Sequence, residues 1–303
     1  MRWSLQGSLN ALNVGLLASV CSALLCGTVQ AQDKVLNLYS ARHYQTDQAL
    51  YDKFTRTTGI QINRVDADDA GLLARLKSEG SASPADVILL VDAARLWRAD
   101  VDGLFQPVKS AVLEQRIPKH LRDKDDGKGS QWFGFSTRAR VIVYNKASVR
   151  KEDAATYELL AAPRNKGKVC TRSGSHPYNL SLFGALMEHI GPVATETWLK
   201  GVVGNMARDP KGGDTDQIKA VASGECGLAL SNTYYVARMM RSNKPEDRAV
   251  VERVGVVFPN QATWGTHVNI AGGAVARHAP NREAAVKFLE YLAGDEAQAY
   301  FAN

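Results

Sequence analysis

Past its first thirty or so residues the sequence has no long apolar run, no Lys/Arg block and little cysteine. No later segment is long and apolar enough to be a membrane-spanning helix. Without a basic block there is no electrostatic footprint of a nucleic-acid or lipid surface. GxSxG, HExxH and a Gly-rich phosphate loop are also missing, and with them the common hydrolase, zinc-protease and nucleotide motifs. GSHPY sets Ser175 beside His176, but adjacency in sequence is not a catalytic geometry. These absences weigh against a reading as an enzyme. Of its 4 cysteines, Cys21 and Cys26 lie in the N-terminal apolar stretch. Cys170 and Cys226 are too far apart for a CxxC site. In an oxidising compartment they can form one disulfide, and the other reading is two small buried thiols. No internal repeat or low-complexity segment is visible.

What is present starts with an export signal. Arg2 is the only charge before Asp33, an apolar stretch runs from about Leu12 to Leu25, and Val29-Gln30-Ala31 supplies small residues for cleavage. The apolar core is too short for a membrane span, so residues 1–31 read as a cleaved signal peptide with the mature chain beginning at Gln32. Val20 and Leu25, which precede the two leader cysteines, are too bulky for a lipoprotein cleavage site. Cleavage removes one of 37 basic residues and none of 31 acidic ones, leaving a mild, dispersed balance of about +5. Roughly 270 mature residues suffice for two lobes with cores of their own.

Strand and helix then alternate. KVLNLYS (34–40) reads as a strand, 44–58 as a helix closed by Gly59, and IQINRV as a second strand. Residues 69–79 read as a helix ended by Gly80, ADVILLVD as a strand buried on both faces, and 92–99 as a helix. This βαβαβ order predicts an open, mainly parallel sheet. WFGFSTRARVIVY (132–144) reads as an extended crossing into a second lobe. There GKVCTR, CGLALS, VERVGVVFP and HVNIAGGAVAR read as strands. Helices are expected over 179–190, 195–203, 214–223, from Tyr234-Tyr235 onward, and over 281–293. In the last, Ala285, Phe288, Leu289 and Leu292 share one face.

Two α/β lobes joined by extended crossings enclose a cleft, and in open α/β sheets ligands bind beyond the carboxyl ends of the strands. The residues following those ends are Arg42, His43 and Tyr44, then His176 and Tyr178, then Tyr234 and Tyr235. A tyrosine stands at or near three helix starts, where a helix stabilises negative charge. Taken singly, each reads first as an interfacial tyrosine with packed ring and wet hydroxyl. His43 and His176, taken singly, read as structural, and Tyr39 and Tyr144 as core or hinge packing. Taken together, phenols from both lobes make a hard, anionic oxygen cage. Phenols ionise near pH 10 in isolation, and a trivalent cation displaces that far down. Fe³⁺ fits, with His43 as an additional nitrogen donor, whereas Cu⁺ and Zn²⁺ would call for thiolates or more imidazoles.

LYSARHYQTD, GFSTRARVIVYNK, KGKVCTRSGSHPYNLSL and SGECGLALSNTYYVARM resemble the periplasmic ferric-ion-binding proteins of bacterial iron ABC importers, in the branch with a His-Tyr pair after the first strand. The resemblance runs from about Lys34 to the last residue, and Arg-His-Tyr and Asn-Thr-Tyr-Tyr are its most specific parts. It implies an α/β, two-lobe type II periplasmic-binding-protein fold with a central cleft and hinge crossings. Residues 32–135, completed by about 265–303, would form the N-lobe, and 136–264 the C-lobe. It implies a monomer that holds Fe³⁺ and hands it to an inner-membrane ABC permease. The implied metal ligands are Tyr44, Tyr178, Tyr234, Tyr235 and His43. Arg138 would take a carbonate-like synergistic anion, bidentate as arginine allows, or else serve a surface or hinge salt bridge. Arg42 and Arg238 would add positive charge behind the ligands, and no acid matches the N-lobe glutamate of some members. The resemblance also implies a further tail beyond DEAQAYFAN, packed on the N-lobe without iron ligands, whereas this chain stops at Asn303. The rival expectation is a same-fold receptor for an oxyanion or for a small organic cation such as a polyamine or thiamine, stacked on aromatics.

Overall fold

The structure is a computed structural model that describes residues 34–42 and 47–302. The leader expected over 1–31 lies outside them, and so do His43 and Tyr44. The first half of the chain gives β1 (Val35–Ser40), α1 (Asp47–Thr58), β2 (Gln61–Asp66), α2 (Asp69–Glu79), β3 (Val87–Leu90), α3 (Ala93–Val101), β4 (Phe105–Gln106) and α4 (Ala111–Arg116). A long strand, β5 (Phe133–Asn145), leads into β6 (Val169–Cys170), α5 (Pro177–Ile190), α6 (Pro192–Gly204) and α7 (Asp214–Ser223). The chain ends through β7 (Leu228–Asn232), α8 (Thr233–Arg241), α9 (Pro245–Arg253), β8 (Val254–Val257), β9 (Val268–Ala276), α10 (Arg282–Leu292) and α11 (Asp295–Ala302).

The strands join in the order β2-β1-β3-β9-β5-β7-β6, with β4 on β9 and β8 on β5. β1 runs parallel to β2 and β3, and β6 parallel to β7, but every pairing of β5 and β9 is antiparallel. The expectation of a mainly parallel sheet therefore fails. It counted βαβ units, whose crossovers make parallel pairs, and missed that the extended crossings themselves enter the sheet.

Local chemistry sets the remaining boundaries. α2 and α3 start where the Asp68 and Asp92 side chains accept backbone N–H groups, the usual N-cap arrangement. α5 begins at Pro177, two residues earlier than expected, because proline suits the first helical turn and His176 caps it. VERVGVVFP divides between helix and strand, since Val251–Arg253 finish α9, which Pro245, Glu246 and Asp247 open. β3 is buried at all four positions, and α10 buries Ala285, Phe288, Leu289 and Leu292 as its periodicity predicts.

The core falls into four apolar clusters. Two draw on residues between Leu36 and Phe135 together with Ile270–Ala297. The other two draw on residues between Val141 and Val257. β5 runs through the change, pairing β9 as far as Ala139 and β7 from Arg140 onward. Beside β6 and β7, Cys170 and Cys226 form a disulfide.

Candidate metal centre

Each expected ligand in the second half stands in the first turn of a helix that follows a short strand. Tyr178 is the second residue of α5, and its backbone N–H donates to His176 Nδ1 at 3.2 Å. Tyr234 and Tyr235 are the second and third residues of α8. The two helix starts face each other. The Tyr178 and Tyr234 hydroxyls are 3.0 Å apart, so two hard oxygen donors from distant chain segments meet at one point. The Tyr235 ring lies against that of Tyr234, with centroids 4.3 Å apart. It also packs on the apolar cluster around Cys170 and Val236. Adjacent tyrosines point about 100° apart on a helix. That divergence is taken up here by one ring meeting Tyr178 and the other resting partly on the core.

Positive charge surrounds the phenols. The guanidinium carbons of Arg172, Arg138 and Arg140 lie 5.1, 5.4 and 5.9 Å from the centre of the Tyr178 ring. Arg238 lies 5.4 Å from the Tyr235 ring. Arg138 is buried and donates from Nη2 to the Val91 carbonyl at the end of β3. It therefore ties the first half of the chain to the second. Arg42 forms an ion pair with Asp47 at 2.8 Å.

A cavity of about 530 Å³ opens in front of Tyr178. The ends of β1 and β3 and the loop between β2 and α2 line one side, and His176, Pro177 and Tyr178 line the other. Four carboxylates border it, Asp66, Asp68, Asp69 and Asp92. All are engaged locally. Asp66 pairs with Arg64, and Asp68 and Asp92 accept from Gly71 N and Arg95 N. Asp69 accepts from Val91 N, and burial pushes its carboxyl up from the usual range. Among the described residues no group of three His, Cys, Asp or Glu side chains could hold a metal, and the hard oxygen donors that converge are the Tyr178 and Tyr234 hydroxyls. His176 reads as structural: its Nδ1 is committed to capping α5, and Ser175 is bonded to Ser173 and not to the imidazole.

Sequence reasoning named Arg138 and passed over Arg140, Arg172, Asp214, Asn179 and Asn232. A signal was available. STRAR places Arg138 and Arg140 on the same face of a strand that turns wholly apolar at Val141. Arginine on a buried strand needs a carboxylate, and Asp214 opens a helix in the same half.

Residues 49–303 match the family of bacterial extracellular solute-binding proteins. Iron uptake protein A1 of Synechocystis is 53% identical over 272 residues, covering 90% of this chain and 74% of that protein. The major ferric iron-binding protein of Neisseria meningitidis is 28% identical over 282 residues, covering 93% of this chain and 82% of that one. A solved structure of Trichodesmium FutA in complex with iron and citrate matches with a TM-score of 0.81 at 54% identity, over 88% of this chain and 83% of that one.

Proposed function

The chain belongs to the bacterial extracellular solute-binding proteins, in the branch that binds ferric iron, and on that premise we propose that it captures Fe³⁺ between its lobes and delivers it to an ABC permease of the inner membrane. Its fold is the two-lobe type II periplasmic-binding-protein fold of its structural neighbours. In this reading residues 1–31 are cleaved on export to the periplasm, and the mature protein acts as a monomer. Residues 32–135 with about 265–303 form the N-lobe, and 136–264 the C-lobe.

The observation that carries the reading is the 3.0 Å approach of the Tyr178 and Tyr234 hydroxyls at two helix N-termini. Iron first meets Tyr178, Tyr234 and Tyr235. The N-lobe then closes by hinge motion and adds Tyr44 and His43. Closure draws its free energy from ligand bonds made only in the closed form. Arg138 spends Nη2 on the Val91 carbonyl, and its other N–H groups are those that would take a carbonate-like anion. Release needs an opposing input: permease docking, protonation of the phenolates, or reduction to the less charged Fe²⁺.

A same-fold receptor for a small organic cation would need carboxylates free to meet the cargo. The four bordering the cavity are committed to caps, a backbone amide and an ion pair. The deciding experiment titrates the mature protein with ferric citrate, wild type against Tyr234→Phe/Tyr235→Phe. A broad phenolate-to-iron charge-transfer band in the visible is expected for wild type and absent from the double variant. Folded wild type without a band would shift the assignment to an anionic or organic cargo.

A further inference from the structure

The cluster behind Tyr178 is more elaborate than stability alone requires. Asp214, the first residue of α7, is fully buried. Its Oδ2 accepts from Arg140 Nη1 at 2.5 Å and from the Asn232 backbone N–H at 2.7 Å. Its Oδ1 accepts from Arg172 Nη1 at 3.2 Å. Arg140 is only 2% exposed. It donates onward to Asn232 Oδ1 at 3.2 Å and to Asn179 Oδ1 at 2.8 Å. Asn179 follows Tyr178 in α5, and Asn232 occupies the position before the first residue of α8, just ahead of Thr233 and Tyr234. One carboxylate and one guanidinium thus reach the chain neighbours of both phenols.

As a stabilising device this is a poor choice. Replacing a buried ion pair with apolar side chains of similar volume is often neutral or favourable. Here two guanidiniums face one carboxylate, which leaves excess buried charge. Donors are also left over. Arg140 Nε, Arg172 Nε and Asn232 Nδ2 are buried without an acceptor among the described residues. Buried polar groups in native structures are nearly all hydrogen-bonded, so these unmet donors are a cost that this network carries. What this one secures is a fixed relation between two helix starts that lie 56 residues apart in sequence.

We infer that Arg140 and Asp214 are positioning residues, which hold the first turns of α5 and α8 so that the Tyr178 and Tyr234 oxygens stand at ligand spacing before the cargo arrives. This rests on the tyrosine-cage reading above. The ordering of the two phenols is then met during folding, and binding need not supply it. The fork of Arg140 matters here and not its charge alone, because it bonds to both helix starts while paired with Asp214.

The test follows iron release from the loaded mature protein into a competing chelator through the visible band. Wild type is compared with Arg140→Lys, Asp214→Asn, Asn179→Ala and a control, Phe54→Leu, in the core of the other half. The three cluster variants are expected to release iron roughly 10- to 100-fold faster, as when a supporting contact behind a metal ligand is lost, with a displaced or broadened band. Phe54→Leu should release at the wild-type rate despite a comparable fall in melting temperature. Folded cluster variants with wild-type release and an unchanged band would overturn the inference, as would equal acceleration by Phe54→Leu. Asn179→Ala leaves the Arg140–Asp214 pair intact, so it keeps the question answerable if Asp214→Asn does not fold. Wild type that never develops a band overturns the cage itself, a result distinct from fast release by the variants.

Discussion

At the scale of single residues, two partly buried histidines resist protonation. His176 is lowered to about 4, first by burial and then by the positive charge of Arg172. His267 is likewise lowered to about 4, by burial and then by Arg138 and Arg140. A free histidine titrates near 6.5. The unfolded chain therefore takes up protons between pH 6.5 and about 4 that the native protein refuses. Linkage then makes stability fall as pH falls through that window, with no contribution above it. His267→Gln should flatten part of this decline in urea unfolding of the metal-free protein. In wild type the His267 ring proton should stay at its neutral NMR position to below pH 5. A midpoint near 6.5 would contradict the burial argument. Tyrosine, histidine and arginine could be picked out as residue types in the sequence. Which arginine does what could not, because Arg138 and Arg140 share a strand face and differ only in the partners that folding supplies.

At the scale of elements, β9 shows why backbone approach matters. Gly272 faces Leu90 of β3 and Gly134 of β5 in the ladders. A Cβ there would come 2.4 Å from the Phe133 carbonyl oxygen and 2.7 Å from Leu96 Cδ1. Gly272→Ala should therefore cost about 1–3 kcal/mol, as overpacking does. Gly184, inside α5, has nothing within 4 Å of its missing Cβ. Gly184→Ala should gain roughly 0.5–1 kcal/mol from helix propensity. Denaturant midpoints of the two variants should move in opposite directions, and a shared direction would refute the packing account. The side-chain-capped α2 and the one-faced α10 were legible to within a residue or two. α9 was not foreseen, and VERVGVVFP was read wholly as strand, because Val251–Arg253 carry β-branched and charged residues that suit either element. Pro245, Glu246 and Asp247 in the first turn are the helix signals of that segment.

At the scale of the molecule, no apolar cluster among the described residues joins the two halves. Hydrogen bonds cross instead. Arg138 reaches the Val91 carbonyl, and Asn269 accepts from Ala93 N while donating to Ser181 Oγ. Contacts of this kind can be exchanged for water without exposing a core, which is what hinge closure needs. A cargo that ties both halves together should then stabilise the whole chain by mass action. With free ligand at a thousand times its Kd the gain is about 4 kcal/mol. Ferric citrate should accordingly raise the melting temperature of wild type and leave Tyr234→Phe/Tyr235→Phe nearly unmoved. An equal rise in both would place the stabilising iron elsewhere.

The sequence by itself determined the alternation of strand and helix, the helix-start tyrosines and the hard-oxygen chemistry they offer. Those properties follow from local periodicity, capping and side-chain type. Only the tertiary structure decided that β5 and β9 run antiparallel through the sheet, and that the Tyr178 and Tyr234 hydroxyls meet at 3.0 Å. It alone placed Arg140, held by Asp214, against both helix starts. Register and convergence depend on contacts between residues far apart in the chain. Local pattern fixes the direction of each side chain relative to its own element, and packing fixes where those elements meet.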